Sequence, residues 1–408
     1  MLETPVAEFV LILMAAAVVA LAVKVVPVPY VSALALVGLA AGSILGHGQV
    51  HLTPSLILFV LLPGLLFEAA FNLSWAELRA NLPAVAALAT VGVVLTTAVI
   101  APLGHAALGL DVPVAILFGA MVAPTDPVAV VAVFRKMHVP ERLVNLVEAE
   151  SLLNDGTGVI LFTVALAATQ AGSSATVLSS VVDFVRLAAG GLTLGLAIGF
   201  GLSLVTSRID DFQVEMTLTA IAAYGGYLLA ETVHVSGILA VVAAGLVLGN
   251  YGRPRAMSER TAQAIEHSWD YVAFALNSVV FLLIGLDVPV QDVVAHLGVV
   301  LGAAAIALLA RAAVVYLLLG SLHLVRSGVS LRWQHLTVWG GLRGTIALAL
   351  ALSISSRGGQ FTLVTQLVYG VVLASLLVQG TTIGQLTRVL LRPRRREEQL
   401  PHPDVDVP

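Results

Sequence analysis

The sequence predicts an all-α polytopic membrane protein of about thirteen transmembrane helices, arranged as inverted six-helix repeats with two broken, crossing helices. Three observations predict it: composition, the alternation of charge between loops, and an odd-spaced internal repeat. Of the 408 residues 59% are hydrophobic and only 11% charged, against about 25% charged in a soluble domain. The mean hydropathy of +0.99 agrees. Cysteine is absent, which excludes disulfides, thiolate metal sites and cysteine nucleophiles. The 36 glycines suit helices that pack closely or break.

A span needs about 20 mostly apolar residues. Such runs fall near 8–26, 31–47, 55–71, 82–103, 113–134, 144–169, 181–206, 214–232, 235–250, 268–286, 297–322, 333–355 and 361–390. The first is preceded by Glu3 and Glu8 rather than by basic residues, so it reads as a membrane helix and not a cleavable signal.

Basic residues follow every second span. Lys24, Arg79, Arg135, Lys136, Arg142, Arg208, Arg253, Arg255, Arg260, Arg326, Arg332 and the tail arginines 392, 394, 395 and 396 lie on one side. The other side has His47, His51, His105, Asp111, Glu231, Asp287 and Asp292, with Arg357 as the basic exception. Because Lys and Arg gather in cytoplasmic loops, the N-terminus is expected outside and the C-terminus in the cytoplasm. The tail 392–408 is short, polar and proline-bearing; it is expected to be disordered, touching anionic lipid rather than nucleic acid.

Span 2 carries AAGSILG (40–46) and span 9 carries AAGLVLG (243–249), each after a Val-Ser pair. Spans 3 and 10 also correspond. Seven is an odd spacing, so related helices point in opposite directions, the plan of many secondary transporters. Chance recurrence of Ala, Gly and Leu strings is the bland alternative.

Ionisable groups inside the hydrocarbon are costly and need a reason. Six stand out: Glu68, Asp126, Glu150, Asp155, Arg311 and Arg343. Asp126 lies in APTDPVAV, where Pro124 and Pro127 each lack an amide donor and should unwind span 5 around the carboxylate. Irregular backbone at that depth must be buried or line a polar cavity; a proline kink capped by Asp is the simpler reading. In ESLLNDGTG on span 6, Ser151, Asn154 and Asp155 fall at helical spacing and are expected to share a face. Desolvation favours the protonated carboxyl and a bound cation favours the ionised one, so a group such as Asp155 can hold either but not both. That competition is the core of an exchanger; a polar packing seam is the alternative.

Arg343 lies in WGGLRGT, where three glycines predict a second break in span 12, seven spans after the first. It could neutralise the carbonyl ends of that break, or reach water at the cytoplasmic end of the span. Arg311, mid-span, needs a fixed anion, and Glu150 is favoured over Glu68; the pair would leave Asp155 to titrate. Glu68 either lines a vestibule or marks the membrane edge.

APTDPVAV, ESLLNDGTGVILF, LLPGLLFEAAFN, FLLIGL and WGGLRGTIALAL together resemble the signatures of NhaP/NHE-type sodium/proton antiporters. The resemblance covers spans 2 to 13, and departs at Gly64, where many members have a second proline. It implies a homodimer in a bacterial or archaeal cell (inner) membrane, serving pH homeostasis, with no cofactor beyond the transported ions. Interface helices would occupy 1–81 and 208–293, and transport-core helices 82–170 and 294–391, with 171–207 as a linking helix. It implies Asp155 as the ion- and proton-binding carboxylate, with Na+ held by Asp155, Ser151, Thr125 and Asp126, and with Asn154 and Glu68 also in the ion- and proton-binding set. Asn154 stands where electrogenic relatives have a second Asp, which implies one-for-one electroneutral exchange. Na+ is the expected monovalent cation, with Li+ as a second candidate. K+/H+ exchange is the alternative within transport, and an intramembrane aspartyl enzyme using Asp126 and Asp155 the distant one.

Overall fold

A computed structural model describes residues 3–26, 28–45, 52–171, 176–324 and 328–391, and among these residues it is helical with no strand. His47, His51, Arg326, the Gly46 that ends AAGSILG and the basic tail from Arg392 lie outside the described residues.

The helices of nine residues or more in chain order are α1 (Glu3–Ala22), α2 (Tyr30–Leu45), α3 (Leu62–Asn72, entered through a π-helical turn at Leu56–Leu61) and α4 (Trp75–Leu108). Next come α5a (Val112–Val122), α5b (Val128–Lys136), α6 (Glu141–Ala171) and α7 (Val177–Thr206). A run over 212–232 forms α8, followed by α9 (Gly237–Val247), α10 (Glu259–Leu286) and α11 (Leu297–Leu324). α12a (Leu331–Trp339), α12b (Thr345–Ser355) and α13 (Gln360–Leu390) complete the order. Trp75–Leu108, Glu141–Gln170, Val177–Thr206, Glu259–Leu286, Leu297–Leu322 and Gln360–Leu390 are each long and apolar enough to cross a bilayer.

The helices overrun the apolar stretches that announce them. α4 has 34 residues, a length of about 50 Å at 1.5 Å per residue, against about 30 Å of hydrocarbon. Arg79, Arg142 and Arg260 therefore sit within the first two turns of α4, α6 and α10 and not in loops, because a helix continues into the interface where basic side chains reach water. Inside α4, Pro83 is followed by a π-helical turn at Ala87–Gly92, the local answer to a ring that clashes one turn back.

Both interruptions fall where prolines and glycines were grouped. α5 is open over 123–127 and α12 over 340–344. The two breaks touch: the Asp126 amide donates to the Leu342 carbonyl at 2.9 Å. Around them, α2 packs on α10, α3 on α9, α4 on α6, and α7 on α9. The last contact is close, because Gly191, Gly195 and Gly199 form a flat stripe on α7, and a Cβ at Gly191 would lie 2.5 Å from the Ser236 carbonyl.

Candidate functional site

α6 carries two kinds of carboxylate five residues apart. Glu150 is 1% exposed and meets Arg311 of α11 in a fork, Nη1 to Oε1 at 2.8 Å and Nη2 to Oε2 at 2.7 Å. Asn154 donates to the same Glu150 Oε1 at 2.9 Å. Such a bidentate pair neutralises both charges where water cannot. Arg311 also reaches the Thr337 carbonyl at 3.4 Å, which ties α12a to the pair.

Asp155 is different. Among the described residues no hydrogen-bond donor reaches its carboxylate, which faces a cavity of about 260 Å³. Glu68, Asp126, Glu148, Ser151 and Asn277 also line this cavity, from α3, the α5 break, α6 and α10.

The α5 break is held from both sides. The Ser151 hydroxyl donates to the Thr125 carbonyl, Asn154 Nδ2 donates to Thr125 Oγ1 at 2.9 Å, and the Thr125 amide donates to Asn154 Oδ1 at 3.3 Å. The Asp126 carboxylate accepts from the Val128 amide at 3.1 Å and from the Thr345 amide, so it caps the N-termini of α5b and α12b together. Gly344 permits this, since a Cβ there would collide with the Asp126 carboxylate. Arg343 is 2% exposed and donates to the Gly341 carbonyl beside the C-terminal end of α12a, while Ser375 of α13 accepts its amide at 3.0 Å. It does not reach water at a helix end.

The sequence-selected residues thus divide into two groups. Asp155, Asp126, Ser151 and Glu68 surround one cavity. Glu150, Asn154, Arg311 and Arg343 are buried behind it, and Thr125 sits between the groups. Asn154 meets Thr125 beside Ser151, as the shared face predicts, but it does not line the cavity that Ser151 and Asp155 border. It is 0% exposed and turned toward Thr125 and Glu150, because both ends of its amide find backbone or carboxylate partners there. Glu68 accepts from Asn72 at 2.8 Å. It also borders a second cavity of about 260 Å³ with Tyr30 and Asp270. A third, of about 450 Å³, shares Tyr30 and continues to Lys136 and Arg388. The chain of cavities runs from Asp155 toward the end of the molecule where basic residues gather.

Glu148 and Asn277 were not singled out from sequence. Glu148 precedes Asp155 by seven residues, two helical turns, and its spacing was a usable signal. It meets Arg135 at 3.1 Å at the rim of the cavity. Asn277 is a lone amide in an apolar run of α10, also a usable signal.

The sequence pattern of the family described as "Sodium/hydrogen exchanger, transmembrane" matches residues 10–389. The Na(+)/H(+) antiporter ApNhaP of Aphanothece halophytica is 40% identical over 358 residues, 87% of this chain and 68% of that protein. The Na(+)/H(+) antiporter NhaH of Halobacillus dabanensis is 35% identical over 394 residues, 93% of this chain and 97% of that one. The solved structure of the sodium proton antiporter MjNhaP1 from Methanocaldococcus jannaschii at pH 8 has the same fold, with a TM-score of 0.78 at 22% identity over 96% of this chain and 100% of that chain. The chain belongs to the sodium/hydrogen exchanger family: it is a multi-pass membrane transporter and not an enzyme.

Proposed function

We propose that the protein exchanges Na+ for H+ across the membrane, with Asp155 as the carboxylate that holds either ion. The observation that carries this is a carboxylate inside the helix bundle that faces a cavity with no donor to it among the described residues, one turn from Ser151 and beside Asp126. Every other acid behind the cavity has a partner. An oxygen-only set of two carboxylates, a hydroxyl and the Thr125 carbonyl suits a hard cation. The relatives described above are named for Na+, which favours Na+ over K+.

Exchange proceeds by alternating access. With the cavity open, Na+ displaces the Asp155 proton, the core moves, and the reverse step occurs on the other side. Glu150 is neutralised by Arg311, and Asp126 by two helix ends, so one charge per cycle is exchanged for one, an electroneutral stoichiometry. The close pairings of α2 with α10 and α3 with α9 support an interface unit of 1–81 and 208–293, and those of α4 with α6 and α12b with α13 support a core of 82–170 and 294–391. The unit works as a homodimer in the cell membrane, contributes to pH homeostasis, and has its N-terminus outside; the basic residues at the cavity's open end support that end as cytoplasmic.

Asp155→Asn in proteoliposomes tests the reading. Na+-driven dissipation of a pH gradient is expected to vanish while the protein remains folded and monodisperse. Retained exchange would overturn the assignment of Asp155.

A further inference from the structure

On the far side of Asp155 there is another cavity that the exchange reading does not use. It measures about 230 Å³ and lies between α6, α7 and the turn joining α8 to α9. Val159, Ile160 and Thr163 of α6 line it, together with Glu231, His234 and Ile238. Leu152, Asp155, Val159 and Thr163 recur at three- and four-residue steps, so one stripe of α6 runs from the Asp155 cavity into this one. Asp155 and Val159 are a single turn apart, about 6 Å along the helix.

What separates the cavities is a small apolar contact. Gly156 of α6 lies flat against the start of α9: a Cβ there would be 2.7 Å from Leu239 Cγ and 3.3 Å from Ile238 Cγ2. Leu239 packs with Ile160 and Val164 in a cluster apart from the main core. α9 itself is locked to α7 through the glycine stripe, whereas α6 is locked to the α5 break through Ser151, Asn154 and the contact of Gly158 with the Pro124 ring. Gly156 therefore marks the seam between two blocks, and its missing side chain leaves a smooth surface on which they can slide. Glu231 stands at the mouth, its Oε1 near Gly237 and the N-terminus of α9, and His234 beside it takes a left-handed backbone with φ 57°.

We infer that this cavity is the closed outer half of the ion pathway, sealed by Ile238 and Leu239 against Gly156, with Glu231 as the carboxylate that draws a monovalent cation to it. The inference rests on the exchange reading above. When α6 moves against α9, the seal parts and Asp155 opens to the Glu231 mouth in place of the Glu68 vestibule.

The absence of cysteine allows a test that does not depend on transport. Single variants Thr163→Cys and Leu152→Cys are treated with a membrane-impermeant, positively charged thiol reagent in right-side-out and everted vesicles. Thr163→Cys is expected to react only from the outer face and Leu152→Cys only from the inner face; Thr163→Cys reacting from the inner face, or from neither, overturns the outer pathway even if exchange is intact. Gly156→Ala is expected to lower exchange at least tenfold, and Gly156→Ala with Leu239→Ala to recover most of it; no rescue in a folded double variant overturns the seal. Glu231→Gln is expected to raise the Na+ KM several-fold in right-side-out vesicles and leave it unchanged in everted ones. Equal KM values with only a lowered Tm would make Glu231 a helix-end partner and overturn its role.

Discussion

Glu150 and Asp155 are carboxylates of one helix, both inside the bundle, and they have opposite surroundings. Glu150 has a guanidinium fork and an amide, while Asp155 has a cavity. Burial alone therefore does not mark the ion-binding group. The partner does, since a carboxylate neutralised by a fixed arginine has nothing left to exchange. The pinned face of α6 also positions the open one: Asn154 holds both Glu150 and Thr125, so the ion pair and the open segment of α5 are parts of a single brace.

The sharpest way to break this comparison is to remove a partner from the pinned side. Arg311→Met leaves Glu150 buried and unpaired, and is expected to destabilise the protein by about 3–5 kcal/mol, as loss of one partner of a buried pair does. Glu150→Gln with Arg311→Met should cost less than that single change, measured by thermal unfolding in detergent. If both lose stability equally, the pair is not a unit. The open side is probed by proton competition. Because Na+ and H+ contend for one ionised carboxylate, the apparent Na+ KM is expected to rise as pH falls. In the acid limit the rise approaches tenfold per pH unit. A KM independent of pH, measured by initial rates at several Na+ concentrations, would separate the two ions.

A smaller effect is expected at the joint between the breaks. Gly344→Ala pushes a methyl into the Asp126 carboxylate, so exchange should fall several-fold while the Arg311 pair and overall stability remain close to wild type. Smallest is Ser151→Ala, which removes one neutral ligand and frees the Thr125 carbonyl. A two- to fivefold increase in Na+ KM is expected, corresponding to about 0.4–1 kcal/mol, within the range of a single neutral hydrogen bond.

Much of the fold was legible because the bilayer imposes a simple rule: apolar runs of fixed length, charges in loops, and breaks only where proline or glycine permits. Pro124, Pro127 and the Gly340, Gly341, Gly344 group marked both interruptions. Helix ends were less legible, since Arg79 and Arg142 look like loop residues by charge but lie on helical turns. Glu68 could not be placed between vestibule and membrane edge until α3, α5 and α10 were seen around one cavity.

What the sequence determined by itself was the inventory: a helical membrane protein, two breaks, and a small set of intramembrane charges that had to find partners. Local chemistry suffices for this, because proline and glycine act on their own turns and desolvation acts on each charge separately. Only the tertiary structure decided which charge was left without a partner. Asn154 and Asp155 are neighbours in the chain, yet one is buried against Thr125 and the other faces the cavity. The 100° between successive helical residues turns them to different surroundings, and the neighbouring helices determine what those surroundings are.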